Sequence, residues 1–266
     1  MTDAAGVTLA GVDKVFAAKN REVHALANID LAVAKGEIVT LFGPSGCGKS
    51  TVLRIIAGLD DATGGEVSVF GETPAQASRR KNIAWIPQSS ALLPWLTVTD
   101  NADLSRVINR TPDIRKTTRR IPEDAAALLG ELGLGDFIDH RPRSLSGGMR
   151  QRVSIARGFA QGAPLMLMDE PFSALDELTK DTLQVRLLDM YDHHRKTIVY
   201  VTHSPAEAVL LSDRVVVMTP RPGRIHGIVD IDLPRPRGLA LTETDAFIAK
   251  VAEVKHVLRS GWKGEE

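Results

Sequence analysis

The segment Gly43-Pro44-Ser45-Gly46-Cys47-Gly48-Lys49-Ser50-Thr51 fits the pattern G-x-x-x-x-G-K-[ST], and its residue types are those that a polyanion needs. Glycines let the backbone curl so that successive N–H groups face one centre, and the start of a following helix adds partial positive charge. Lys49 then supplies a full charge to the β- and γ-phosphates of a nucleotide, and the Ser50 hydroxyl is placed to ligate Mg2+. Residues 37–42 read as the strand leading into this loop and residues 50–57 as the helix leading out. Cys47, inside the loop and beside a helix N-terminus, is read as favouring its thiolate. The loop alone says nucleotide. A kinase, a GTPase and many ATPases would all satisfy it.

A second group of residues sits at the ends of other apolar runs. Leu165-Met166-Leu167-Met168-Asp169-Glu170 is a buried-strand pattern closed by two carboxylates. At the C-terminal edge of a parallel strand, Asp169 reaches the shell of a bound Mg2+. Glu170 points the other way on the two-residue period of a strand, so its task differs: it polarises and positions an attacking water as general base. His203 follows the run 197–201 at a comparable edge, where it can hydrogen-bond a γ-phosphate. Gln88 follows the run 83–86; its amide could sense both metal and γ-phosphate, although spacing alone favours a surface glutamine. Finally, Ser146-Gly147-Gly148 opens a helical run and forms a second anion-binding cap. One nucleotide needs one cradle, so a second makes sense if each cap serves the nucleotide of a partner subunit.

The elements that must position these groups follow from hydrophobic period. Runs at 23–33, 37–42, 66–70, 83–86, 165–168, 197–201 and 214–218 read as strands, with helical patterns at 50–57, 147–160, 179–194 and 206–211. Their alternation predicts a largely parallel sheet covered by helices, whereas residues 7–42 and 66–70 carry short glycine-containing connections that suit an antiparallel sheet. From Leu92 to about Arg143 no strand pattern occurs; helices at 97–109 and 123–132 predict a helical insertion. Within it, residues 110–120 hold five basic residues and one acid and read as solvated surface rather than a docking face. Prolines 220, 222, 234 and 236 break regular structure after Met218, and a last amphipathic helix is predicted near 244–258.

The chain has 266 residues, enough to bury a full core, with 33 basic and 33 acidic residues. A balanced charge gives no bulk attraction for nucleic acid, so none is expected as a partner. The one cysteine excludes an internal disulfide and suits a reducing compartment. The first residues do not read as a signal peptide, and no apolar run approaches the ~20 residues that span a bilayer.

The ordered set of motifs resembles the nucleotide-binding subunit of ATP-binding cassette (ABC) transporters. The Walker A loop is at 43–51, the Q-loop at Gln88, the LSGGxxQR signature at 145–152 and the Walker B strand with its glutamate at 165–170. A D-loop, Ser173-Ala174-Leu175-Asp176, and a switch histidine, His203, complete the series. The resemblance implies an α/β fold: a P-loop ATPase core with a mostly parallel sheet, an N-terminal antiparallel β-subdomain and an inserted α-helical subdomain. In these terms residues 1–266 form one ABC ATPase domain. Residues 7–91 and 158–220 are its core, 92–157 its helical subdomain and 221–266 a C-terminal strand and helix extension. The resemblance also implies ATP and Mg2+ as cofactors, the metal held by Ser50, Gln88 and Asp169, with Lys49, Glu170 and His203 catalytic. Phe16, where many relatives carry Tyr, matches the ring that stacks on adenine. ATP is then held by Phe16, residues 43–51, Gln88 and, from a facing copy, Ser146, Gly147 and Gly148. Ser204 departs from the Asp that many cassettes place after the histidine, without touching the catalytic assignment.

Three further stretches, 90–98, 169–176 and 207–218 with Pro222-Gly223-Arg224, are similar to importers of nitrate, aliphatic sulfonates, taurine and related solutes. That resemblance implies a homodimer lying peripherally on the cytoplasmic face of the inner membrane. Its partners are two transmembrane permease subunits and, indirectly, a periplasmic or lipoprotein solute-binding protein. An exporter cassette and a soluble, non-transport ABC protein are the alternatives.

Overall fold

A computed structural model describes residues 5–18, 21–108 and 123–262. The backbone falls into two units, called outer and inner for their order along the chain only: the outer comprises the chain up to Ala77 and from Thr197 onward, the inner Ser78 to Lys196.

The outer unit begins with β1 (Ala5–Ala18), β2 (Arg21–Ala34), β3 (Ile38–Phe42), α1 (Lys49–Ile56) and β4 (Gly64–Val69), with the short α2 (Pro74–Arg79) at its limit. β1 pairs antiparallel with β2 on one side and β4 on the other. Alternation explains which face is inward: Ile29, Leu31 and Val33 on β2, with Val7 and Leu9 on β1, are buried, and a register shift after Leu9 brings Val12 inward as well. This is the antiparallel sheet that the early strand pattern predicts. β3 differs because all five of its residues are buried, as expected for a strand covered on both faces.

The inner unit runs through β5 (Ile83–Ile86), α3 (Val98–Ile108), α4 (Ala125–Glu131), α5 (Gly147–Ala160), β6 (Leu165–Asp169) and α6 (Glu177–His194). β5 and β6 pair in parallel, Ile83 opposite Leu165 and Ile86 opposite Met168. The helices start where short polar side chains can accept from free backbone N–H groups. Asp124 accepts from Ala126 before α4, Ser146 from Met149 before α5, and Asp176 from Thr179 before α6. A half-buried cluster closes the unit: Glu123 Oε1 lies 2.6 Å from Lys196 Nζ, and its Oε2 lies 2.7 Å from His194 Nδ1.

The chain returns to the outer unit with β7 (Thr197–Thr202), α7 (Pro205–Leu211), β8 (Arg214–Met218), β9 (Ile225–Asp230) and α8 (Asp245–Trp262). β3 lies between β7 and β8, parallel to both, and β9 adds to β8 antiparallel. The protein is therefore mixed α/β, an antiparallel sheet beside mostly parallel strands with helices. The prolines after Met218 do not suppress regular structure as widely as they suggest. β9 fits between Pro222 and Pro234 because the hydrogen-bonding residues, Ile225–Asp230, contain none. The basic stretch 110–120 lies outside the described residues. No described helix is long and apolar enough to cross a membrane.

Candidate functional site

In the outer unit the loop 43–48 joins the C-terminal end of β3 to α1. Gly46 and Gly48 adopt φ of 80° and 98°, a left-handed backbone open chiefly to glycine, and Gly48 is the residue on which α1 begins. A Cβ on Gly48 would lie 2.5 Å from Leu26 Cδ2 and 3.1 Å from the Ala25 carbonyl, so the loop rests directly on β2. Ser45, Gly46 and Ser50 stay exposed and Thr51 is half-buried, while Pro44 flanks the buried Gly43. A curled, glycine-lined backbone with an exposed helix start fits phosphate.

Lys49 is buried, at 4% exposure, and its ammonium donates to the carbonyls of Gly43 at 2.8 Å and Pro44 at 2.9 Å. The lysine is thus held inside the loop that it serves, and phosphate oxygens would replace those two carbonyl acceptors. Contrary to expectation, Cys47 does not favour its thiolate. Cys47 is 1% exposed, and burial pushes its thiol up, outweighing the downward pull of Lys49. The helix start does not win, because the side chain turns into the protein rather than to solvent.

Phe42 on β3 pairs with Thr202 on β7, so the phosphate loop and His203 leave neighbouring parallel strands at the same edge. His203 is exposed. The backbone around it is braced by a residue to which the sequence reading assigned no role, Glu207. This buried carboxylate accepts from Tyr200 Oη and, at 3.1 Å, from Thr202 Oγ1. Thr202 Oγ1 also accepts from the Ser204 N–H at 3.0 Å, and Ser204 Oγ accepts from the Glu207 N–H at 3.3 Å. Ser204 therefore caps α7, a task that the Asp common at this position could also perform. Phe16, near the end of β1, is 40% exposed with Lys14 Nζ 4.7 Å from its ring centre.

The inner unit carries the remaining groups. Asp169 ends β6, and Glu170 follows with φ of 45°, an uncommon backbone for a non-glycine residue and a frequent one at functional sites. Ser173 ties this turn to Gln88: its Oγ donates to the Glu170 carbonyl at 3.0 Å, while Gln88 Nε2 donates to Ser173 Oγ at 3.2 Å. The exposed Gln88 is therefore held beside the strand-end acids, which spacing alone did not predict. Ser50 hydroxyl, Gln88 amide oxygen and Asp169 carboxylate are hard oxygen donors of the kind Mg2+ takes.

Ser146 is the N-cap of α5, accepting from Met149 N–H at 3.2 Å, with Ser146 and Gly147 exposed. Gly148 is buried; a Cβ there would lie 2.7 Å from Thr179 Cγ2, so the signature turn sits against the start of α6. Asp176 caps that second helix, and the backbone N–H of Thr179 holds its carboxyl below the usual range.

The sequence profile described as ABC transporter matches residues 26–173, more than half of the chain. An uncharacterized ABC transporter ATP-binding protein of Methanocaldococcus jannaschii is 44% identical over 241 residues, covering 91% of this chain and 88% of that one. The aliphatic sulfonates import ATP-binding protein SsuB of Bacillus cereus is 41% identical over 233 residues, 87% of this chain and 88% of its own. The bicarbonate transport ATP-binding protein CmpC of Synechocystis is 45% identical over 255 residues, 95% of this chain but 38% of that longer protein. Among solved structures, the dimeric ABC transporter cassette MJ0796 superposes with a TM-score of 0.72 at 30% identity, covering 86% of this chain and 100% of that one. The same cassette in a post-hydrolysis state bound to ADP and Pi gives 0.71 at 31%. The chain belongs to the ABC transporter family, as its ATP-binding and ATP-hydrolysing cassette.

Proposed function

We propose that this cassette powers an importer for a small solute such as nitrate, a sulfonate or taurine. It works as a homodimer on the cytoplasmic face of the membrane beneath two permease subunits, with a solute-binding protein on the far side. The observation that carries the dimer is the exposed, serine-capped start of α5, a second anion cradle in a chain that already holds one. The likeness to sulfonate and bicarbonate cassettes supports import. In this reading residues 7–91 and 158–220 are the nucleotide core, 92–157 the helical part and 221–266 an extension.

ATP stacks its base on Phe16 and places its phosphates in the loop 43–51, where Lys49 exchanges two loop carbonyls for phosphate oxygens. Ser50, Gln88 and Asp169 hold Mg2+, which when bound offsets the charge of the β- and γ-phosphates. Ser146, Gly147 and Gly148 of the partner subunit close over the γ-phosphate, adding N–H donors to the charge that develops in the transition state. Glu170 orients the attacking water and His203 holds the γ-phosphate in line.

Work reaches the permease through residues 92–108. Buried Asn101 staples this segment: its amide donates to the carbonyls of Leu93 and Thr97 at 3.1 and 2.9 Å and its oxygen accepts from the Leu93 N–H at 2.8 Å. The staple leaves Trp95 66% exposed as a docking ring.

Glu170→Gln tests the centre. The purified variant should bind ATP, lose turnover by about 10²–10⁴-fold and accumulate as a dimer with ATP. Undiminished hydrolysis rejects Glu170 as general base, and a variant that stays monomeric with ATP rejects the shared site. Uptake of labelled taurine, sulfonate and nitrate by a strain lacking this protein tests import.

A further inference from the structure

The sequence reading gives Lys14 no role, yet this cation is built into the outer unit with more care than a surface lysine needs. It is 7% exposed. Its ammonium donates to Asp60 Oδ1 at 2.7 Å and to the Asp61 carbonyl at 2.6 Å, and it sits 4.7 Å from the centre of the Phe16 ring. Asp60 also faces Arg54, whose Nε lies 3.5 Å from its Oδ2. The turn that presents Asp60 is sewn to β1 on both sides of Lys14: Thr63 N–H donates to the Asp13 carbonyl at 2.9 Å, and Val15 N–H donates to Thr63 Oγ1 at 3.1 Å. The hydrogen bond from Lys14 holds the Asp60 carboxyl below its usual range, so this carboxylate is ionised at neutral pH.

We infer that Lys14, braced by Asp60, is a positioning residue for the nucleotide base, acting through Phe16. A cation near a ring draws on its π electrons, which both orients the ring and leaves it electron-poor. An electron-poor phenyl is a better stacking partner for an electron-rich purine. The inference deepens the proposed role of Phe16 and rests on it.

The test separates base from phosphate. Binding of ATP and of inorganic tripolyphosphate is measured for the full chain, for Lys14→Met, Lys14→Arg and Asp60→Asn, and for Phe16→Ala alone and with Lys14→Met. Lys14→Met should weaken ATP on the order of three- to tenfold with tripolyphosphate unchanged, and Lys14→Arg should restore most of the loss. Asp60→Asn should act in the same direction, and Lys14→Met should add nothing once Phe16 is gone. Equal weakening of ATP and tripolyphosphate, or no change in either, overturns the inference while leaving Phe16 as the stacking ring. If Phe16→Ala itself leaves ATP affinity unchanged, the stacking assignment fails and the inference falls with it.

Discussion

Gly223 and Cys47 are in such close contact that a single added carbon has nowhere to go: a Cβ on Gly223 would lie 2.0 Å from the Cys47 carbonyl oxygen. Gly223 also donates to the Ala25 carbonyl at 2.9 Å and accepts from the Ala27 N–H at 3.0 Å. Gly43 is packed from the same side, a Cβ there falling 2.7 Å from the Met218 carbonyl. The phosphate loop is therefore backed by β2 and by the turn after β8, a segment 175 residues further along the chain.

Gly223→Ala should push this turn away from the phosphate loop. Backbone faces backbone, so no flexible side chain can yield. An overpacking cost of about 1–3 kcal/mol is expected in urea unfolding. The sharper reading is local: alkylation of the lone thiol of Cys47, buried in the parent protein, should accelerate in the variant.

Alkaline pH should weaken the fold through Cys47. Burial raises its thiol, so the folded state holds the proton over a range where the unfolded chain has released it. The stabilisation is complete below the unfolded thiol pKa of about 8.5 and is lost as pH rises toward the folded value. Stability measured from pH 7 to 10 should fall on this limb, and Cys47→Ala should flatten it.

Glu207→Gln should lower turnover more than ATP affinity. Tyr200 and Thr202 donate to this buried carboxylate, and the same network fixes the backbone on both sides of His203. Weakening charge-assisted bonds to neutral ones costs about 1–2 kcal/mol of stability and loosens the histidine. Steady-state hydrolysis beside ATP binding checks the split.

Arg157→Ala should release the segment after Gln88. The guanidinium donates to the carbonyls of Ser90 at 2.8 Å and Ala91 at 3.0 Å, and burial holds its pKa below the usual range. Its loss removes two hydrogen bonds from carbonyls that water can then reach, about 0.5–1.5 kcal/mol, and should increase proteolysis near 88–97 without altering the phosphate loop. Limited proteolysis with parallel ATP binding reads both.

Local chemistry in the sequence determined the phosphate loop, the strand ending in Asp169 and Glu170, the cap at Ser146 and nearly every helix and strand, because those depend on neighbours a few residues apart. Glycine spacing, a capping serine and a continuous Val/Ile run carry their consequences within one turn or one strand. Tertiary structure alone decided what each group touches. Cys47 stands beside a helix start in sequence, yet packing buries it and reverses the expected shift. Lys14 meets Asp60 and Glu207 serves His203 only once strands and turns distant in sequence, or folded back within it, are brought together. Gly223 backs Cys47 because the turn after β8 folds against the loop after β3, a relationship that no residue period encodes.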